Sequence, residues 1–286
     1  MAITNFVPEV WAAELLVALE KSLVYAGPGV VNRNYEGEIS QYGDTVHITG
    51  LADPTIGTYT PHTDITVEAI TDNTQALLID QAKYFAFEVD DLEKRQARSG
   101  GMVLTEQARK AAYRLRDTAD QYVAGLMAAG VDAGNVIAEQ TVSVSSTDKA
   151  YDVLVDLGVK LDEDNVPEDG RWAIITPAFH GLLLKDSRFV AAGDAAGAAT
   201  RANGMVGEAA GFSIRKSNNA QDGPGAGAGK LVFAGYSGAV TYAEQIANTE
   251  ATRKEKGFAD IVKGLHLYGS KVVRATGLAA ADVIVS

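Results

Sequence analysis

Between Met102 and Ala128, apolar residues fall at Leu104, Ala108, Ala111, Leu115, Ala119, Tyr122 and Leu126, in steps of three and four. That spacing lays one stripe along a helix. Glu106, Lys110, Arg114, Asp117 and Gln121 take the opposite side, with Glu106 and Lys110 in the favourable i,i+4 order. Gly100-Gly101 breaks the chain before this run, and Gly130 stands where a left-handed C-terminal cap would go. At 1.5 Å per residue the predicted helix over 102–128 is roughly 40 Å long. It therefore reads as a beam along which other elements are laid. Gly125 inside it costs about 1 kcal/mol relative to Ala. It marks either tolerated strain or a site where another backbone packs closely.

A first helix is predicted over 8–26. Pro8 suits its first position, Glu9 complements its dipole, and Trp11, Leu15, Leu16, Leu19 and Leu23 form a broad apolar face. Gly27-Pro28-Gly29 ends it. That face needs cover, from its own domain or from another copy. Asp44 to Thr49 alternates as a half-buried strand, the alternation returns at Asp64 to Ile70, and Gln75 to Val89 is a long extended run. Between the first two lies Gly50 to Thr63, with three turn-formers, Pro54, Gly57 and Pro61, and little to bury. Hairpin loops usually have about two to five residues. An excursion this long is a flexible insertion or an arm whose partner is another molecule, and the arm is the expectation adopted.

Farther on, Asp90 with Glu93 starts a short helix through Arg98, and Gln140 to Ser145 forms a strand. Asp148 caps a helix carrying Tyr151, Val153, Leu154, Leu157 and Leu161. Arg171 to Thr176 is nearly continuously apolar, hence a central strand, and Pro177 opens a helix through Leu184. Ala191 to Gly229 reads as loops around one strand, Phe212 to Ile214. Further strands are predicted at 230–234, 239–243, 261–273 and 283–285, with a polar stretch at 248–256. Helices and strands mix without a regular βαβ repeat, so the expected class is α+β.

The 286 residues suffice for one large or two ordinary domains. No window approaches the apolar run a membrane helix needs. The N-terminus lacks a basic region and hydrophobic signal core, and the absence of cysteine fits an intracellular birthplace without disulfides or thiolate chemistry. A formal charge of −12 argues against a protein that grips nucleic-acid phosphates. The four histidines, His47, His62, His180 and His266, show no metal-ligand spacing. Asp162 to Asp169 is acidic but lacks the calcium-loop pattern and reads as a solvated turn. Gly225 to Lys230 fails as a phosphate loop because Leu231 replaces the Ser or Thr and a strand follows. No nucleophile elbow or catalytic set stands out, and no metal or cofactor is expected.

Several segments resemble tailed-bacteriophage major capsid (coat) proteins: Phe6-Val-Pro-Glu-Val-Trp11, Asn32 to Glu38, Gly43 to Ile48, Ile79 to Phe87 with Val89-Asp-Asp91, and Val166 to Pro177. Their order and spacing carry the likeness over essentially the whole chain. The resemblance implies the Hong Kong phage capsid fold (Hong Kong 97-like), shared with encapsulins. It implies an N-terminal arm at 1–36, an extended β-hairpin E-loop at 37–84, and a first peripheral (P) domain part at 85–147 with the spine helix. It further implies an axial (A) domain at 148–248 and a P-domain return at 249–286.

The resemblance also implies a structural role. Copies would form hexamers and pentamers of an icosahedral bacteriophage shell around double-stranded DNA, made in the host cytoplasm and located in the virion. Scaffolding, portal and decoration proteins are the further expected partners, and DNA would be contacted non-specifically. Subunit contacts are expected at Trp11, Leu15 and Leu19 in the arm and at Tyr59, Thr60 and Pro61 near the loop tip. Packing of Trp11 and the leucines within their own subunit is the opposed expectation. An encapsulin-like nanocompartment shell is the alternative function, and an enzyme of unidentified chemistry a distant third.

Overall fold

A computed structural model of the chain describes residues 23–35, 43, 45–51, 55–59, 61, 62, 64, 67, 69, 72–90, 102–144, 149–186, 207–227 and 229–286. In chain order the elements are β1 (Thr45–Leu51), β2 (Asp72–Leu78), β3 (Gln81–Asp90), α1 (Met102–Gly130), β4 (Val136–Val142), α2 (Ala150–Glu163), β5 (Arg171–Ile175) and α3 (Pro177–Lys185). There follow β6 (Glu208–Ala209), β7 (Phe212–Lys216), β8 (Lys230–Tyr236), β9 (Val240–Arg253), β10 (Ala259–Val272) and β11 (Leu278–Val285). The class is α+β, as expected from the pattern.

A six-stranded sheet of order β4-β11-β8-β5-β7-β6 forms the larger layer. β5 lies inside it, parallel to β7 and antiparallel to β8, and all of its residues are buried. Its side chains serve two cores in turn. Ala173 and Ile175 join Leu154, Leu157, Phe179 and Leu183 of α2 and α3. Trp172 and Ile174 join Ala119, Val123 and Met127 of α1, together with Tyr25 and Val30. A strand covered on both faces explains the continuous apolar run. Thr176 caps α3 by accepting from the Phe179 N–H, with Pro177 at the first turn.

The smaller sheet, β3-β10-β9, is antiparallel throughout. One face meets α1, where the Tyr122 and Tyr268 rings pack edge to face at 5.5 Å. The other face carries Leu267, which with Ala243 packs against Val46, Ile48, Leu77 and Ile79 of the β1-β2 pair and its continuation.

Several boundaries differ from the sequence expectation. Residues 23–26 form a bend and turn, not the end of a helix, and 1–22 lie outside the described residues. The run 75–89 is two strands in two sheets, separated at Ile79 and Asp80. In the expected strand 64–70, the described residues 64, 67 and 69 belong to no strand. The strand expected at 140–145 is β4, four residues earlier at its start. Lys149, without a capping side-chain bond, occupies the N-cap of α2, and Asp148 lies outside the described residues; of the helix expected at 90–98, Asp90 ends β3 and 91–98 lie outside the described residues. The polar stretch 248–256 belongs largely to β9, which pairs with β10 through Arg253.

The beam is present, two residues longer than expected, with its buried stripe rotated. Ala112, Leu115, Ala119, Asp120, Val123, Ala124 and Met127 are buried, whereas Ala111, Tyr122 and Leu126 are only half-buried. Gly125 has open space beside it, and among the described residues no backbone packs there. The close approach is at Gly130, where an added Cβ would stand 2.6 Å from a Val272 methyl. Gly130 is the last helical residue and is not among the left-handed glycines.

Candidate functional site

The chain between the arm and the hairpin is fastened to the body at three places. The first is on α1. Asp120, 3% exposed, accepts from the backbone N–H of Val24 at 3.1 Å, Tyr25 at 3.1 Å and Ala26 at 3.2 Å. Burial raises the Asp120 pKa, while the three N–H donors and nearby Arg116 pull it back. Arg215 then donates to the Pro28 carbonyl at 2.8 Å, and Gly29 takes a left-handed conformation, φ 82°.

The second fastening is a buried polar cluster. Asn32 bonds the backbone of Val240 and Tyr242 on both sides of Thr241, which carries residues 32–33 along β9. Arg33 then pairs with Glu244. The other oxygen of Glu244 accepts from the Tyr242 hydroxyl at 2.7 Å and lies 3.1 Å from His266 Nε2. Because an ionised carboxylate only accepts, His266 donates from Nε2. Desolvation alone would raise the Glu244 pKa. His266, Arg33 and Tyr242 together outweigh it, and the carboxyl lies below its usual value. The Tyr242 hydroxyl is pushed well up by burial and by Glu244. Nothing in the sequence pointed to this cluster, since its members come from residues 33, 242–244 and 266.

The third fastening holds the hairpin root. β1 and β2 pair from Thr45↔Leu78 to Leu51↔Asp72. Lys271 donates to the Ala76 carbonyl at 2.9 Å, and Gln75 to that of Val273 at 3.1 Å. Beyond this root the described residues are exposed: Ile56 is 96%, Tyr59 71% and Val67 86% open, and Pro61 is exposed too. His62 has φ 68°, an unusual conformation at a turn. Trp11, Leu15, Leu19 and Thr60 lie outside the described residues. Of the six expected contact residues, the structure thus locates only Tyr59 and Pro61, both on the projecting loop.

Two further surfaces bear on assembly. β3 is an edge strand, and between it and the first half of α1 runs a groove of about 640 Å³. Phe85, Phe87, Ala111 and Leu115 line it, and Lys83, Lys110 and Arg114 border it. The small sheet also carries ion pairs, Glu250–Lys263 at 2.7 Å between β9 and β10 and Glu88–Lys254 at 2.8 Å from β3 to the residue after β9, which satisfy exposed polar side chains.

The remaining chemical candidates resolve into structure. The glycine-rich loop wraps two acidic side chains. Gly225 N–H donates to Asp282 at 2.9 Å and Gly227 N–H to Glu139 at 2.7 Å, while Gly223 and Gly229 sit directly against Asp282. Asp162 pairs with Arg171 at 2.8 Å. His47 and His62 are exposed, and His180 is buried within α3. Among the described residues no group of three or more potential ligands could hold a metal ion, and no helix is long and apolar enough to cross a membrane.

A sequence model of the family described as phage capsid protein matches residues 73–281. No curated protein matches the chain. Among solved structures, one from Mycobacterium phage Che8 is 30% identical, covers 98% of each chain and superposes with a TM-score of 0.66. The capsid of cyanophage P-SCSP1u reaches the same TM-score at 18% identity, over 87% of this chain and 85% of that one. The holo-SrpI encapsulin complex from Synechococcus elongatus PCC 7942 matches at 11% identity and a TM-score of 0.55, covering 85% and 83%. The last two are likenesses of fold alone. A long helix laid against two sheets, with a leading segment pinned at its root and a hairpin projecting into solvent, is thus the Hong Kong 97-like architecture, and the chain belongs to the phage capsid protein family as a structural major capsid protein of the virion.

Proposed function

We propose that copies of this chain associate head to tail into hexamers and pentamers that close into an icosahedral shell around double-stranded DNA. The observation that carries this is the projecting loop. Ile56, Tyr59 and Val67 are largely exposed on a hairpin whose root is firmly packed. Large apolar side chains held out this way mark an interaction surface. A patch that docks on a different patch of the next copy is heterologous, and it generates rings where the rotation closes.

In this reading Tyr59, Thr60 and Pro61 of the loop contact one neighbour, and Trp11, Leu15 and Leu19 of the arm contact another. Arm, E-loop, P-domain and A-domain keep the boundaries 1–36, 37–84, 85–147 with 249–286, and 148–248. One change to that division is supported by pairing: β4 and β11 share a sheet with β5 and β8 and move with the A-domain. The three-stranded sheet and α1 then make up the P-domain. The charge of −12 suits DNA that is enclosed without being held. Scaffolding, portal and decoration proteins are the partners of such a shell, assembly takes place in the bacterial cytoplasm, and the chain carries no catalytic role.

Expression of the chain followed by sedimentation and electron microscopy tests the proposal. Shells or rings are expected. A species that stays monomeric at high concentration would overturn it.

A further inference from the structure

The groove between β3 and α1 is an unfilled apolar slot with a charged border. Its side-chain floor is Phe85 and Phe87, stacked 6.0 Å apart, with Ala111 and Leu115 of α1. Its border is Lys83, Lys110 and Arg114. Burial confirms that the slot is open. Lys83, Lys110 and Arg114 are exposed, and Phe85, Phe87 and Ala111 only half-covered, although the same face of the sheet is tightly buried farther along at His266 and Tyr268. A groove of this size has room for several large side chains.

The chain also carries a segment of matching chemistry. In the sequence of residues 8–22, Trp11, Leu15 and Leu19 have the spacing of one helical stripe, and Glu9, Glu14 and Glu20 stand against Lys21 alone. The segment continues into Leu23 and the Val24–Ala26 turn held by Asp120 on the same helix that walls the groove. Apolar stripe meets apolar floor, and three carboxylates meet three cations.

We propose that this groove is the receptor for the arm, residues 8–22, of a second copy of the chain. The proposal rests on the shell reading above and names the surface on which the arm docks. Docking within one chain would link nothing. Docking across copies joins two different surfaces head to tail, which is the relation ring closure requires.

The chain has no cysteine, so disulfide trapping reads the contact directly. Ala111→Cys is combined in turn with Trp11→Cys, Leu15→Cys or Leu19→Cys, and assembled particles are oxidised. A bond forms only where Cα atoms come within roughly 7 Å. At least one combination should give covalent multimers on a denaturing gel, and mixed particles of the corresponding single variants should give dimers. Val159→Cys, exposed on α2, should give none with the same arm positions. As a readout independent of cysteine, Lys110→Glu with Arg114→Glu should lower particle yield several-fold, and Glu9→Lys with Glu14→Lys should restore it. Bonds only within one chain, or none in particles that form normally, overturn the groove while leaving the shell reading in place. A chain that never assembles overturns both.

Discussion

Asp120, in the second half of the longest helix, accepts from the Tyr25 N–H at 3.1 Å across 95 residues of sequence. Val24 and Ala26 donate to the same carboxylate, which ties the start of the described chain to the spine. Asp120→Ala would leave three inward-facing N–H groups without acceptor. A loss of about 3 kcal/mol is expected from the cost of stranded buried donors, read by urea denaturation of unassembled protein. Asp120→Asn keeps an acceptor and should cost less. Because burial raises the folded pKa, the contribution is full below the unfolded value and falls as pH rises through the folded one. The stability gap between wild type and Asp120→Asn should therefore be widest in acid and narrow toward neutral pH.

Glu244 predicts the opposite slope. Its folded pKa is depressed, because His266, Arg33 and Tyr242 outweigh desolvation. Its contribution is present above the unfolded value and is lost as pH falls through the folded one. Glu244→Gln leaves the Arg33 guanidinium facing a neutral amide and should cost about 2–3 kcal/mol, the low end for a broken buried pair because Arg33 is partly open to solvent. Denaturation at neutral and acid pH should show that cost shrinking in acid.

Two glycines of α1 should answer alanine in opposite directions. At Gly125 an added methyl meets nothing within 4 Å, and Gly125→Ala should stabilise by up to about 1 kcal/mol. At Gly130 it would press on Val272 at 2.6 Å, and Gly130→Ala should destabilise by about 1–3 kcal/mol. Val272→Ala in the same chain should recover part of that loss, as a thermal melt of the three variants would reveal.

On the projecting loop, Ile56→Ser and Tyr59→Ser remove exposed apolar groups that the subunit itself does not use. Their denaturation midpoints should stay within about 0.5 kcal/mol of wild type, while particle yield by sedimentation falls. A large loss of subunit stability would place these side chains in a core instead.

The elements most legible in the sequence were those with local causes. The stripe of α1, the buried run of β5 and the Thr176-Pro177 start of α3 each follow from spacing or capping within a few residues. The rotated stripe on α1 was not legible, because the pattern assumed an apolar inner face and Asp120 breaks it; its partners lie at residues 24–26. The Glu244 cluster was hidden for the same reason, its members being joined only by the pairing of β9 with β10. β9 ran through a polar stretch because cross-strand ion pairs, not burial, satisfy its outer side chains there. The extended run at 75–89 gave no sign of its break, since the chain changes sheets at Ile79 and Asp80 without a glycine or proline. Of the expected contacts, Tyr59 and Pro61 stand on an open loop, as a long excursion with little to bury implied.

Electron cryomicroscopy of the purified chain decides most directly whether this subunit is completed by its neighbours. Closed shells or rings are expected, with Ile56 and Tyr59 of each copy covered by the next. Monomers at every concentration, with those two side chains buried on their own body, would contradict it.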